Sequence, residues 1–185
     1  MMDRRGFLLA SMGLAARAWR PKVAAIVTEY RPLSHADVIG GRFLQGYYPN
    51  GVRQQPRTRI VSMYTDQVPA NDMSRELAAR YGFTIYPSVE EALTLGGDRL
   101  AVDAVLLIGE HGNYPVNERG QKLYPRYELF ERIVQVFRRS HRPAPVFCDK
   151  HLSYSWKKAL AMYRWSRGLR FPLMATSMRR PVRVK

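Results

Sequence analysis

Three short polar segments of this sequence each begin where an apolar run stops, and all three hold residues that bind ligands or move protons. Thr28-Glu-Tyr-Arg-Pro-Leu33, with Ser34 and His35 beyond it, lies where the first strand, expected at Lys22–Tyr30, gives way to a helix. Gly109-Glu-His-Gly-Asn113 follows Val102-Asp-Ala-Val-Leu-Leu-Ile108, and Asp149-Lys-His151 follows Pro145-Val-Phe-Cys148. A partly desolvated lysine such as Lys150 polarises a substrate oxygen or tunes a bound cofactor. His111 and His151 titrate near neutrality and can serve as acid or base. Read only as local sequence, each segment is equally a polar loop, and most lysines lie on surfaces. No His/Asp/Glu spacing makes a metal site and no Ser/His/Asp elbow is present, so metal and acyl-enzyme chemistry are not expected.

The runs that precede these segments are continuously apolar rather than alternating. That pattern suits strands buried on both faces, as in a parallel sheet covered by helices. Further strands are expected at Arg59–Asp66, Phe83–Tyr86 and Leu169–Thr176. Between them lie helical patterns. Ser34 can cap a helix running towards Gln45, and Asn71 or Asp72 one that carries Leu77, Ala78 and Tyr81 and stops at Gly82. Ser88-Val-Glu-Glu91 reads as a capping box. Tyr127–Arg139 has apolar residues at 129, 130, 133, 134 and 137, and Ser153–Arg167 is expected to turn Trp156, Leu160 and Tyr163 to the core, with Ala159 a further candidate. Strands alternating with helices at this spacing predict an α/β fold: a Rossmann-like, doubly wound, mainly parallel sheet of about six strands with helices on both faces.

In such a sheet ligands sit beyond the carboxyl ends of the strands. A dinucleotide fold places a glycine fingerprint at the first strand–helix turn, so that the backbone can approach the pyrophosphate. Here that stretch holds no glycine, and Glu29 would repel a diphosphate. Thr28, Ser34, His35 and Arg31 remain as candidate contacts at the helix start. Asp66, closing the second strand, stands where an acid accepts from ribose hydroxyls and favours NAD over NADP.

The net charge of +15 is concentrated at one end. Residues 19–137 hold 14 basic and 13 acidic residues, whereas residues 138–185 hold 13 basic and one acidic. A block of that kind binds polyanions or meets a complementary partner. It lacks the motifs of nucleic-acid readers, so no nucleic-acid partner is expected. The single cysteine, Cys148, excludes an internal disulfide. No apolar run approaches the roughly 20 residues that span a bilayer. At the N-terminus, Arg4-Arg5-Gly-Phe-Leu8, a short apolar stretch and Ala16-Arg-Ala18 look like a twin-arginine export signal with a cleavage site. Residues 1–18 are therefore set apart as a leader, residues 19–185 as one domain, and the expected destination is the periplasm or the exterior.

Taken together, residues 59–176 resemble the nucleotide-binding half of the Gfo/Idh/MocA-like (glucose–fructose oxidoreductase/inositol dehydrogenase) family. The resemblance rests on Arg75-Glu-Leu-Ala-Ala-Arg-Tyr-Gly82, Tyr86-Pro-Ser-Val-Glu-Glu91, Val102-Asp-Ala-Val-Leu-Leu-Ile108 and Cys148-Asp149-Lys150, in that order. It implies NAD- or NADP-dependent oxidation or reduction of a sugar or polyol. Lys150 would then be the catalytic lysine, Asp66 and Asp149 would lie near the cofactor, and Gly109, Glu110 and Asn113 would run along the nicotinamide side. The sequence departs from the family in the missing glycines, in Asp149 for glutamate and in His151 for proline. The family's second α+β domain is not represented, so a fragment or a catalytically incomplete remnant is expected, with homo-oligomerisation open. The alternative is a non-catalytic binding module that uses residues 138–185 for an anionic ligand or partner.

Overall fold

The computed structural model describes residues 19–175. The expected leader (1–18), Thr176 of the last strand and the basic stretch 179–185 lie outside these described residues.

Six strands form one sheet: β1 (Lys22–Val27), β2 (Arg59–Thr65), β3 (Thr84–Ile85), β4 (Ala104–Ile108), β5 (Val146–Cys148) and β6 (Leu173–Ala175). Their order is β3-β2-β1-β4-β5-β6 and every pairing is parallel. The chain thus starts in the middle, winds outward through β2 and β3, then crosses over and winds outward the other way. Right-handed crossovers dictate that the helices of the two halves cover opposite faces. The buried residues divide accordingly. Ala24, Ile26, Val105 and Leu107 share one core with the helices α3 (Val89–Thr94), α4 (Arg126–Ser140) and α5 (Trp156–Gly168). Val23, Ala25, Val27, Leu106 and Ile108 face the other core, with α1 (Gly41–Gln45) and α2 (Ser74–Tyr81). The unbroken apolar runs of β1 and β4 are the direct consequence of having both faces covered.

At one edge β3 is only two residues long and is soon followed by Pro87. α4 carries the broadest apolar stripe: Leu129, Phe130, Ile133, Val134, Val136 and Phe137 are all buried. Each such side chain contributes about 1.5–3 kcal/mol, against 0–1 kcal/mol for a surface pair such as Arg142–Asp103. Packing, not charge, holds this helix. α3 opens with half of the expected capping box: Ser88 Oγ accepts from the Glu91 amide at 3.1 Å, while the Glu91 carboxylate accepts from the Ser88 hydroxyl at 2.9 Å. Ser88→Ala is expected to destabilise the chain by about 1 kcal/mol, read as a lower urea midpoint at unchanged slope.

Two expectations are corrected. The last strand is confined to Leu173–Ala175 within the described residues, because Leu169–Pro172 form the turn that leaves α5. α5 is also rotated from its expected phase. Trp156 is 77% exposed and Tyr163 54% exposed, while Met162 and Ser166 are buried. Its core aromatic is Trp165, stacked on Phe130 and tilted against Tyr127.

Candidate functional site

All three polar segments lie at the carboxyl edge of the sheet, where β1, β4 and β5 end. The first does not open a regular helix. Thr28 turns its hydroxyl to the Glu110 carbonyl at 2.6 Å, tying the end of β1 to the loop after β4. Glu29 is buried and accepts from Arg31 Nε at 3.1 Å. The Tyr30 ring lies fully buried against Gly40. Ser34 is buried too, and its hydroxyl accepts from the amides of Arg31 and Asp37, both at 3.2 Å. The chain then makes one turn of π-helix (Ala36–Gly40) before α1.

The second segment folds back over the first. His111 and Gly112 both have left-handed backbones, φ 70° and 108°. That reversal brings Asn113 alongside Gln67, whose amide group donates to the Asn113 carbonyl and accepts from its N–H, at 3.2 and 2.8 Å. It also delivers Tyr114 to Asp66. One carboxylate oxygen of Asp66 accepts from Tyr64 at 2.7 Å and the other from Tyr114 at 2.6 Å. Both phenols are held protonated, their pKa values raised by burial and by the adjacent carboxylate.

Beneath this loop, Glu110 pairs with Arg126, a guanidinium only 2% exposed. Gly109 lets it pass, since a Cβ there would come 2.5 Å from Arg126 Cγ. Arg126 also reaches His151 Nε2 at 3.4 Å and stacks over Tyr124. Burial, then the Arg126 charge, pushes the His151 pKa down. Asp149, 4% exposed, lies 2.6 Å from His35 Nδ1. His35 in turn meets His111 edge to face, with centroids 5.0 Å apart. Lys150, half-buried with φ 66°, follows β5 on the same rim. Burial lifts the Cys148 thiol to about 12, which leaves it no nucleophilic role at neutral pH.

Residues 66, 109–113 and 149–151 are thus gathered on one rim, linked through 66–114, 67–113, 111–35 and 35–149. A cavity of about 330 Å³ opens there, lined by Glu29, Arg31, His111, Asn113, Lys122 and Tyr124. A larger cavity of about 670 Å³ lies between α1, the 47–58 segment and Phe147, but no rim residue lines it. Among the described residues no cluster of three or more His, Cys, Asp or Glu can hold a metal ion, and no helix is long and apolar enough to cross a membrane.

Sequence reasoning missed Gln67, Tyr64, Tyr114 and Arg126. Only Arg126 left a signal: it precedes Leu129 and Phe130 by three and four positions, on the buried stripe of α4, where a charge needs a carboxylate.

A dinucleotide in this fold lays its pyrophosphate on the first strand–helix turn and its ribose on the acid that ends β2. Neither place is open. The amides of Arg31, Leu33, Ser34, Asp37 and Val38 are engaged within the turn itself. Glu29 adds a negative charge there, and both oxygens of Asp66 already accept from tyrosine hydroxyls. The residues present therefore do not fit an extended dinucleotide. Thr28 and Ser34 are engaged in holding the rim together rather than turned to a ligand, and the backbone of Asn113 is taken up by Gln67.

No protein-family model matches the sequence, and no curated protein sequence matches it. Solved structures do match the fold. The chain is similar to biliverdin reductase from Synechocystis sp., solved with biliverdin and NADP+, at 15% identity and a TM-score of 0.52, covering 84% of this chain and 37% of that one. A Gfo/Idh/MocA family oxidoreductase from Vibrio cholerae matches at 19% identity and 0.51, covering 84% and 38%. GenD2 from gentamicin A biosynthesis, solved with NAD, matches at 14% identity and 0.52, covering 86% and 35%. The chain spans little more than a third of the length of these proteins, and what it shares with them is the Rossmann-like α/β fold.

Proposed function

We propose that this oxidoreductase-type Rossmann domain binds, in the rim cavity, a compact hydroxylated molecule of sugar or polyol size that carries a carboxylate or phosphate. The observation that supports this reading is the lining of the cavity. Arg31, tied to Glu29 and His111, and Lys122, tied to the Gly112 carbonyl at 3.2 Å, bring two cations to one small space. Its volume of about 330 Å³ lies at the low end of ligand pockets, which run from about 300 to 1,000 Å³. A planar guanidinium anchors an oxyanion, and Glu29, Asn113 and Tyr124 offer partners for hydroxyl groups.

A second reading, that the chain binds NAD or NADP, draws on the similar folds solved with NADP+ and with NAD. It requires Tyr114 to leave Asp66 and the first turn to rebuild. Titration with NADH and NADPH, followed by nicotinamide fluorescence, separates the two. We expect no saturable binding at millimolar cofactor, and none after Tyr114→Ala, because freeing Asp66 does not create a diphosphate cradle. Gluconate and glycerol 3-phosphate should instead shift the NMR signals of His111, and Arg31→Ala should abolish that shift. Submillimolar NADH binding by the unaltered chain would reverse the choice.

A further inference from the structure

The cavity of about 670 Å³ beside α1 exists because the sheet is unevenly covered on that side. α1 and α2 follow β1 and β2 and pack there, whereas α5, which follows β5, packs on the other face. Phe147 of β5 therefore turns to the α1 side with no helix of its own half above it. Met174, its partner on β6, shares that side and is 63% exposed. Apolar surface left open next to a concave space is a place for a ligand.

The segment 46–58 walls the space in, and it is braced along its length. Tyr47 and Gln54 exchange main-chain hydrogen bonds at 3.1 and 2.7 Å. Gly46 permits that pairing: its φ is 88°, and a Cβ there would lie 2.7 Å from the Gln54 carbonyl oxygen. Arg53 Nη2 donates to the Gln45 carbonyl at 3.3 Å. Arg20 Nη2 donates to the carbonyls of Pro56 and Thr58 at 2.8 and 2.7 Å. Long connections with little regular structure are usually functional. These ties shape the wall before any ligand arrives, which lowers the cost of binding one.

The lining is of two kinds. Ile39, Phe43, Tyr47, Pro56 and Phe147 give apolar and aromatic surface. Arg42 and Arg57 give two exposed guanidinium groups. Neither side chain makes an ion pair or a hydrogen bond among the described residues, and no Asp or Glu lines the cavity. Elsewhere on the surface Arg31, Arg75, Arg132 and Arg142 each have a carboxylate partner. Two cations left without one, beside aromatic rings, suit an acid mounted on a flat apolar body. Its rings stack on the aromatic side chains and its oxygens meet the guanidinium forks.

We infer that this cavity is a second binding site, separate from the rim, for a flat aromatic acid. Phe43, Tyr47 and Phe147 hold the ring system, and Arg42 and Arg57 hold the carboxylate or phosphate. The volume of about 670 Å³ falls well inside the range of about 300–1,000 Å³ found for ligand pockets.

The test is a calorimetric titration of the full chain with 2-naphthoate and with 2-naphthyl phosphate, the uncharged 2-naphthamide serving as control. At least one acid should saturate at submillimolar concentration, and the tighter of the two identifies the acid group preferred. 2-Naphthamide should bind about tenfold more weakly or worse, the usual worth of a hydrogen bond to a charged group. Arg42→Gln and Arg57→Gln should each weaken the acid by a similar factor. Tyr47→Ala, which removes a ring that is 43% exposed and so spares the core, should weaken acid and amide alike. Arg31→Ala should leave this binding unchanged, which separates it from the rim. No saturable binding at millimolar acid, the result expected if a second copy or another part of the chain fills the groove, overturns the inference. Equal affinity for acid and amide overturns it too, as does a loss on Arg31→Ala in place of Arg42→Gln and Arg57→Gln.

Discussion

Replacing Gly109 by alanine is expected to destabilise the chain by about 3 kcal/mol, a change of one methyl group that lowers Tm by roughly 6–12 °C. The backbone at 109 does not demand glycine, since it is not among the positive-φ positions. What demands it is the neighbour. The added Cβ would lie 2.5 Å from Arg126 Cγ and 3.5 Å from its Cβ and Cδ. Arg126 is 2% exposed and cannot swing into water without opening the end of β4. Overpacking in a filled interior costs about 1–3 kcal/mol, and displacing the guanidinium from Glu110 adds part of the cost of an unpaired buried charge. Thermal unfolding followed by circular dichroism measures the sum. A Tm within 2 °C of the parent, roughly the effect of half a kcal/mol or less at this size, would show that Arg126 has room the structure does not give it.

Arg126→Ala should cost more by itself, about 3–5 kcal/mol. It leaves Glu110 without its cation, removes the guanidinium that stacks over Tyr124 and breaks the contact to His151. Glu110 is 21% exposed and partly rehydrates, which places the expected value at the lower end of that range. The informative measurement is the double variant. Once the Arg126 Cγ is gone, the methyl added at position 109 meets nothing closer than a Cβ at 3.5 Å, an ordinary contact. Gly109→Ala should therefore cost less than about 0.5 kcal/mol in the Arg126→Ala background, a coupling of about 2–3 kcal/mol by double-mutant cycle. Independent, additive effects would mean that glycine is needed at 109 for a reason other than Arg126.

The sheet was legible because its signal is local. Val23–Val27 and Val102–Ile108 are apolar without alternation, and only a strand covered on both faces tolerates that. Strand–helix alternation and the handedness of crossovers then leave few arrangements. α5 was read out of phase for a physical reason. Trp156, Leu160 and Tyr163 repeat at helical spacing, but so do Met162 and Ser166, and the sequence marks Ser166 as polar. Its hydroxyl donates to the Tyr163 carbonyl at 2.8 Å, one turn back, and so satisfied it sits in the core. Periodicity set the spacing of that helix and not its rotation.

The rim was found by the same local logic, for a run that ends at Gly109 or Cys148 must deliver its next residues to the sheet's carboxyl edge. The partnerships there were not legible. Asp149 lies 114 positions from His35, and Asp66 lies 48 from Tyr114. Which residues meet depends on the path of the 109–124 loop, and the left-handed backbones at His111 and Gly112 set that path. Asp66 follows the last residue of β2, where the fold family places an acid on the ribose. A tyrosine hydroxyl on each of its oxygens changes what that position can do.

The brevity of β3 bears on how molecules of this chain meet one another. The outermost strand on that side exposes a main-chain ladder of only two residues, and Pro87 just beyond it has no N–H to contribute. A neighbouring chain in search of a fibril template finds almost nothing to zip onto there.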